Sequence, residues 1–177
     1  LADAQAQLST ELRAQFDQTL QENTARMQAE FEQQLSAATK EWEAEKGRLQ
    51  EQIDMWWACA DAQRQMGESQ TQVEILGHFL DRAEPFATNL AVYVAKADGL
   101  ALWKTRGSAS FPQVVSKDKI DAGAYFKTIV VRDKIVAAVF ARQPLKPEAL
   151  DSLSGALARA VEAFGMKLQT RTPAAAS

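Results

Sequence analysis

The side chains that could do chemistry in this 177-residue sequence are few and widely spaced. His78 is the single histidine, and a histidine base needs an acid to orient it and a nucleophile to activate. Asp81 follows one helical turn later, but the sequence places no serine or cysteine nucleophile beside the pair. We therefore interpret His78 as a structural or surface residue and predict that the protein is not an enzyme.

Cys59 is the single cysteine, so an intrachain disulfide is excluded. It lies beside Trp56 and Ala60, and two copies of the chain could be joined there by an interchain disulfide. The other interpretation is an inert helical thiol. The alternating carboxylates of residues 41–45 are typical of a solvated helix face. With no cluster of metal ligands and no phosphate-binding loop, the sequence predicts no cofactor and no metal site.

The elements that carry these residues begin with an apolar stripe in the first sixty residues. Its members recur with a spacing of four, four and three residues, which averages about 3.67 residues per helical turn. A straight helix can therefore present one apolar seam to a partner along its length. The apolar members, which we predict to form a dimer interface, are Leu12, Phe16, Leu20, Met27, Phe31, Ala38, Trp42, Leu49, Ile53, Trp56 and Ala60. The polar members are Asn23, Gln34, Glu45 and Arg64.

The segment that carries this stripe contains no proline and is rich in Ala, Gln, Glu, Leu and Arg, which favour helices. We predict one helix over residues 1–66, on the order of 90 Å long. Gly47 is an internal weak point, but the stripe stays in phase across it. Because a small domain cannot bury so long a seam, the pattern predicts a parallel homodimeric coiled coil.

Trp57 lies next to the stripe but points about 100° away from Trp56 on a helix. It is either an ordinary exposed tryptophan or a possible partner surface, since tryptophan is favoured at protein interfaces. The sequence leaves these two interpretations open.

The second part of the chain, residues 67–171, has the periodicities of a small α+β domain. A short amphipathic helix ends near Pro85. Alternating and continuous apolar runs predict strands at 90–95, 100–105, 125–131 and 135–141, with a further short strand possible at 113–116. Pro147 fits the first turn of a last helix that extends to about Leu168. The tail, residues 172–177, has no core residue and is predicted to be disordered.

The order helix, hairpin, connection, hairpin, helix resembles a GAF domain. The resemblance is carried by residues 75–83 leading into 90–94 and 100–103, and by residues 129–140 leading through 147–150 into the last helix. It implies an antiparallel sheet with helices packed on one face, in a module that senses a ligand or mediates dimerisation. The connection at 107–124 is short for a family member that encloses a ligand. We therefore predict no large internal ligand cavity.

Charge is divided unevenly along the chain. Residues 1–70 carry 13 acidic and 6 basic side chains, a net charge of −7, whereas residues 71–177 carry 10 and 14, a net charge of +4. The basic residues are not clustered, so we predict no nucleic-acid partner. An acidic, Gln-rich first helix is also unlike a membrane-surface helix. The sequence starts at Leu1 in mid-pattern, which indicates a fragment or a processed form.

Together these features predict a noncatalytic, cytoplasmic homodimer with a signalling or scaffold role. Its coiled coil would dimerise, and its GAF-like domain would recognise a protein partner. The alternative is a small-ligand sensor domain that transmits a signal through the coiled coil.

Overall fold

A computed structural model of the chain describes residues 1–116 and 119–171. The long first helix, α1, spans Ala2–Glu68, and α2 spans Gln72–Ala83, followed by a 3-10 turn at Glu84–Phe86. The strands are β1 (Asn89–Lys96), β2 (Gly99–Arg106), β3 (Val114–Val115), β4 (Tyr125–Val131) and β5 (Lys134–Arg142), and the last helix, α3, spans Pro147–Arg171. A long N-terminal helix followed by a sheet with flanking helices confirms the predicted α+β class.

Contacts divide the chain into a first unit, Leu1–Gln52, and a second unit that starts at Ile53. The first unit consists of helix throughout after Leu1, and Gly47 does not interrupt it. Every residue of this unit is exposed in the single chain. Side-chain pairs one turn apart support the helix, such as Arg48 with Glu45 and the hydrogen bond from Gln18 to Glu22. Local propensity and such pairs therefore account for the helix, and burial within the chain does not.

The second unit begins with the last turns of α1, which belong to its core. Cys59, Ala62 and Met66 are buried together with apolar residues of α2 and α3. The sequence pattern had placed the domain boundary between residues 66 and 67, where the stripe loses its regularity. The compact unit starts earlier because a second face of α1, distinct from the stripe, packs on the domain.

Helix α2 starts at a well-defined cap. Thr71 has extended backbone angles, and its hydroxyl accepts a hydrogen bond from the amide of Glu74. The Glu74 carboxylate in turn accepts one from the amide of Gln70 at 2.7 Å. The Thr71 hydroxyl therefore satisfies an amide that the first turn of the helix leaves unpaired, and the Glu74 carboxylate fixes the residue before the cap.

The sheet is antiparallel throughout, with strand order β3-β2-β1-β5-β4. The two predicted hairpins, β1-β2 and β4-β5, are both present, and the short strand expected near residues 113–116 is β3. Strands β1 and β5 pair at the centre, from Asn89 opposite Arg142 to Val94 opposite Ala137. Both are apolar on both faces because both faces of the sheet are covered.

The helices cover one face of the sheet. Leu90, Val92, Ile129 and Val139 face α2, α3 and the end of α1 in one buried cluster. The other face carries a second, smaller cluster formed with the connection between β2 and β4. There, Phe111 of the connection packs edge-on against Phe140, with ring centroids 5.3 Å apart. The hydroxyl of the buried Tyr93 donates a hydrogen bond to the carbonyl of Pro112 at 2.8 Å.

Candidate functional site

The predicted dimer residues of the first unit form an exposed apolar surface on one side of α1, which we call the seam. Its large side chains are between 46% and 68% exposed. The seam in this unit comprises Leu12, Phe16, Leu20, Met27, Phe31, Ala38, Trp42 and Leu49. Soluble monomers rarely expose so many aromatic and aliphatic side chains on one continuous surface, and such a surface is typical of an interaction site.

Two leucines widen the seam beyond the predicted stripe. Leu8 and Leu35 are also exposed, and each lies just outside the four-four-three positions. Leu35 directly follows the polar position Gln34, so it supplies an apolar group beside that polar one. The four-four-three spacing does not include these two leucines because it takes one residue per helical turn. A pattern that allows two adjacent residues per turn would include them.

In the second unit, the last turns of α1 have two distinct apolar faces. The inner face packs on the domain and comprises Met55, Ala58, Cys59, Ala62 and Met66. The outer face carries the end of the predicted stripe, Ile53, Trp56 and Ala60, together with Trp57, and all four are exposed. At 100° per residue, the centres of these faces lie more than a third of a turn apart. The outer face is therefore available to a partner while the inner face remains buried.

Trp57 is the more exposed of the two adjacent tryptophans, at 73%. Trp56 is also exposed, and neither belongs to the buried clusters of the domain. Tryptophan combines a large apolar area with one hydrogen-bond donor, which suits an interface that is partly wet. The geometry is compatible with the predicted role of Trp57 as a partner surface and does not assign a partner to it.

Polar contacts hold the inner face of α1 to the domain. Arg82 of α2 pairs with Asp61 at 2.9 Å, and its Nε donates a hydrogen bond to Gln65 Oε1 at 2.9 Å. Burial raises the pKa of the Cys59 thiol, which lies near Ser152 of α3. An interchain disulfide would require Cys59 to leave this core, so the structure favours the inert thiol.

His78 and Asp81, the candidate acid-base residues of α2, lie in different surroundings. His78 is half-buried on α2, and the carboxylate of Asp81 accepts a hydrogen bond from the guanidinium of Arg106 instead of orienting the imidazole. Among residues 1–116 and 119–171, no group of three or more His, Cys, Asp or Glu side chains could hold a metal ion.

A polar pocket of about 430 Å³ lies where the ends of β1 and β5 meet the connection. Asn89, Asp121, Arg142 and Gln143 line it together with small residues of the segment 122–124. The Arg142 guanidinium lies 5.3 Å from the ring of Phe111, and its Nε is 3.2 Å from Asp121 Oδ2. Because Asp121 offsets the charge of Arg142, the pocket is suited to a small polar molecule more than to a strong anion.

A third polar cluster joins β4 to α3. The Tyr125 hydroxyl donates a hydrogen bond to Asp151 at 2.7 Å, and Lys127 Nζ lies 3.2 Å from the same carboxylate oxygen. The Tyr125 hydrogen bond, with help from Lys127, lowers the pKa of Asp151. Burial raises the pKa of Tyr125, so its hydroxyl keeps its proton. This cluster fastens the last helix to the sheet and is accounted for by that structural role.

No protein-family model and no curated protein matches this chain. Within the part of the chain that the structure describes, no helix has both the length and the apolar character needed to cross a membrane.

Proposed function

We propose that this protein is a noncatalytic, cytoplasmic homodimer with a signalling or scaffold role. In this proposal, α1 pairs in parallel with a second copy through the seam. The second unit is a GAF-like domain that recognises a protein partner without a cofactor. The observation that carries the proposal is the exposure of the entire predicted stripe in a chain whose domain has a filled core without it.

The area of the seam is sufficient for a stable dimer. With Leu8 and Leu35 included, nine of its large side chains, three of them aromatic, are exposed from Leu8 to Leu49. If each buries on the order of 90 Å², the interface covers about 800 Å² per partner, which is the size of a standard specific interface. A second copy of this chain supplies an apolar surface of the same length and spacing.

A protein partner for the domain is supported by Trp57 on the outer face of α1. Its indole is exposed next to the seam, so a partner could contact it together with the paired helices. The element order that resembles a GAF domain supports a signalling context.

The homodimer is tested by light scattering combined with distance measurement between labels. We expect twice the 19.5 kDa mass of one chain at micromolar concentration. Labels attached near residue 12 of the two chains should lie close together in a parallel pair. A monomer mass, or labels separated by the length of the helix, would contradict this proposal.

The alternative function, a small-ligand sensor, is favoured by one observation, the pocket beside Arg142. A sensor would bind its ligand there and transmit the change through the coiled coil. We expect thermal-shift screening against nucleotides and hydrophobic metabolites to give no reproducible stabilisation. A ligand that stabilises the wild-type chain but not an Arg142→Ala variant would favour the sensor instead.

A further inference from the structure

Three polar residues interrupt the seam at equal intervals within the first unit. Asn23, Gln34 and Glu45 lie eleven residues apart on the exposed side of α1. On an α-helix this spacing corresponds to about 16 Å between successive polar groups. The same series of positions contains the apolar Leu12 before Asn23 and the apolar Trp56 after Glu45. The polar run is therefore bounded by apolar residues at both ends.

We propose that Asn23, Gln34 and Glu45 are the residues that fix the register of the parallel dimer. Each would face its own copy across the two-fold axis, so that every polar layer meets an identical one. This inference rests on the proposed homodimer and adds the alignment of its two chains. Single polar residues in an apolar helix interface set register in this way at some cost in stability.

Other parallel alignments place these polar groups against apolar ones. A shift of three or four residues sets Asn23 opposite Leu20 or Met27. A shift of eleven residues keeps two polar layers, Gln34 with Asn23 and Glu45 with Gln34, but at the two ends it sets Asn23 opposite Leu12 and Trp56 opposite Glu45. A buried polar group without a hydrogen-bond partner is costly, so these alignments are disfavoured.

An antiparallel pair that crosses at Gln34 also places Asn23 level with Glu45, because the three polar positions are equally spaced. The polar layers therefore set the register, and the parallel orientation is part of the proposed homodimer. The parallel, in-register pair keeps every polar layer opposite an identical one.

The two amide layers have the groups they need to pair with themselves. An amide side chain carries both a donor and an acceptor, so two copies can hydrogen-bond to each other. In the single chain, Arg26 Nη2 donates to Asn23 Oδ1 at 3.1 Å. The Asn23 amide nitrogen is then the donor for its copy, whose oxygen has a second lone pair available.

The Glu45 layer brings two carboxylates together, and the structure contains the groups that compensate them. Arg48 Nη2 lies 2.5 Å from Glu45 Oε1, and Arg48 Nε donates to Oε2 at 2.9 Å. This hydrogen-bonded pair holds the pKa of Glu45 below its ordinary value. In the dimer, two carboxylates and two guanidiniums would form a neutral group of four charges, which removes the net like-charge repulsion.

The test measures the distance between two spin labels, one on each full chain of the dimer. Each label is attached to the cysteine of a Gln7→Cys variant, and Cys59→Ser removes the native cysteine. Gln7 is exposed and points away from the seam. With the native polar layers we expect one narrow distance population. The triple variant Asn23→Leu, Gln34→Leu and Glu45→Leu should remain associated and gain thermal stability, but its distances should split into several populations. An eleven-residue shift alone displaces the labels by about 16 Å along the axis.

The matched control exchanges the two amides, Asn23→Gln with Gln34→Asn, and keeps Glu45. Because the layers stay polar and self-complementary, it should retain the single population of the wild-type seam. If the triple-leucine variant also retains that single population, the register inference is overturned although the dimer stands. A wild-type chain that is monomeric would refute the homodimer itself, and the inference with it.

Discussion

Individual side chains of α1 lie on two faces of the helix with different surroundings. Trp42 and Leu49 follow the dominant periodicity of the helix, and both are exposed on the predicted side. Cys59 and Met66 are buried against α2 and α3 on a different face. No local pattern marks that face, because it spans only about three turns and includes small residues such as Ala62. Its burial depends on helices that follow later in the chain, so the stripe alone could not reveal it.

Met66 and Trp57 provide a test of the two faces at the level of single residues. Met66 is 1% exposed, so Met66→Ala should lower the free energy of unfolding by about 2–5 kcal/mol. Trp57 is largely exposed, so Trp57→Ala should change it by no more than about 0.5 kcal/mol. Calorimetric unfolding at one fixed protein concentration checks both. Equal effects of the two substitutions would show that the faces are misassigned.

Asp151 predicts a pH dependence of stability. Its pKa is lowered from 3.8 in the folded chain, chiefly by the hydrogen bond from Tyr125 and then by Lys127. A lowered carboxyl pKa stabilises the fold above the ordinary value, and this contribution is lost as the pH falls through the lowered one. Asp151→Asn should therefore make the loss of stability between about pH 5 and pH 3 shallower.

The control for this titration is Asp98→Asn, in the exposed turn between β1 and β2. It removes a carboxylate of the same type outside the cluster of Tyr125 and Lys127, and the Asp151→Asn profile is compared with its profile. Denaturant titrations at each pH, at constant protein concentration, provide the measurement. An Asp151→Asn profile that superimposes on the wild-type profile would contradict the assignment.

Whole elements were more predictable than the contacts between them. Local features of the sequence mark these elements. Apolar runs mark the strands and α3, Asp-Gly marks the first hairpin, and Pro147 marks the start of the last helix. The connection between β2 and β4 has no such pattern. Its place on the sheet depends on Phe111 meeting Phe140 and on Pro112 accepting from Tyr93, which are distant in sequence. The pocket beside Arg142 depends on the same connection, so the sequence could not predict it either.

Alanine substitutions at two glycines, one in the connection and one in α1, should have opposite effects on stability. Gly107 starts the connection with a φ of +91°, and an added Cβ would clash with the carbonyl oxygen of Thr88. Gly107→Ala should therefore lower the free energy of unfolding of the domain by at least about 1 kcal/mol. Gly47 has open space around it in a continuous helix, so Gly47→Ala should stabilise α1 by about 1 kcal/mol.

Thermal unfolding followed by circular dichroism checks this pair of substitutions. The near-ultraviolet signal reports on the domain, and the far-ultraviolet signal is dominated by the long helix. Destabilisation by Gly47→Ala would indicate that the helix bends or packs at residue 47. A neutral Gly107→Ala would indicate that the connection leaves the sheet by another path.

At the scale of the whole molecule, the two units differ in how much of their apolar surface is buried in the single chain. The first unit is a helix with no buried residue in the single chain. The second unit has two filled apolar clusters and leaves the outer face of α1 exposed. The proposed pairing through the seam explains why a stripe of this length is retained in an otherwise charged and Gln-rich helix. It also predicts that the seam, and not the domain, is the main source of dimer stability.

The most direct measurement is sedimentation of the seam variant Leu49→Asn with Ile53→Asn, compared with Ala25→Asn and Ala29→Asn on the opposite side of α1. The control introduces the same helix-disfavouring residue twice without touching the seam. We expect the wild-type chain and the control to sediment as dimers. The seam variant should sediment at the 19.5 kDa of one chain, with the near-ultraviolet circular dichroism of a folded domain. A seam variant that remains fully dimeric would contradict the account and identify the domain as the dimerising unit.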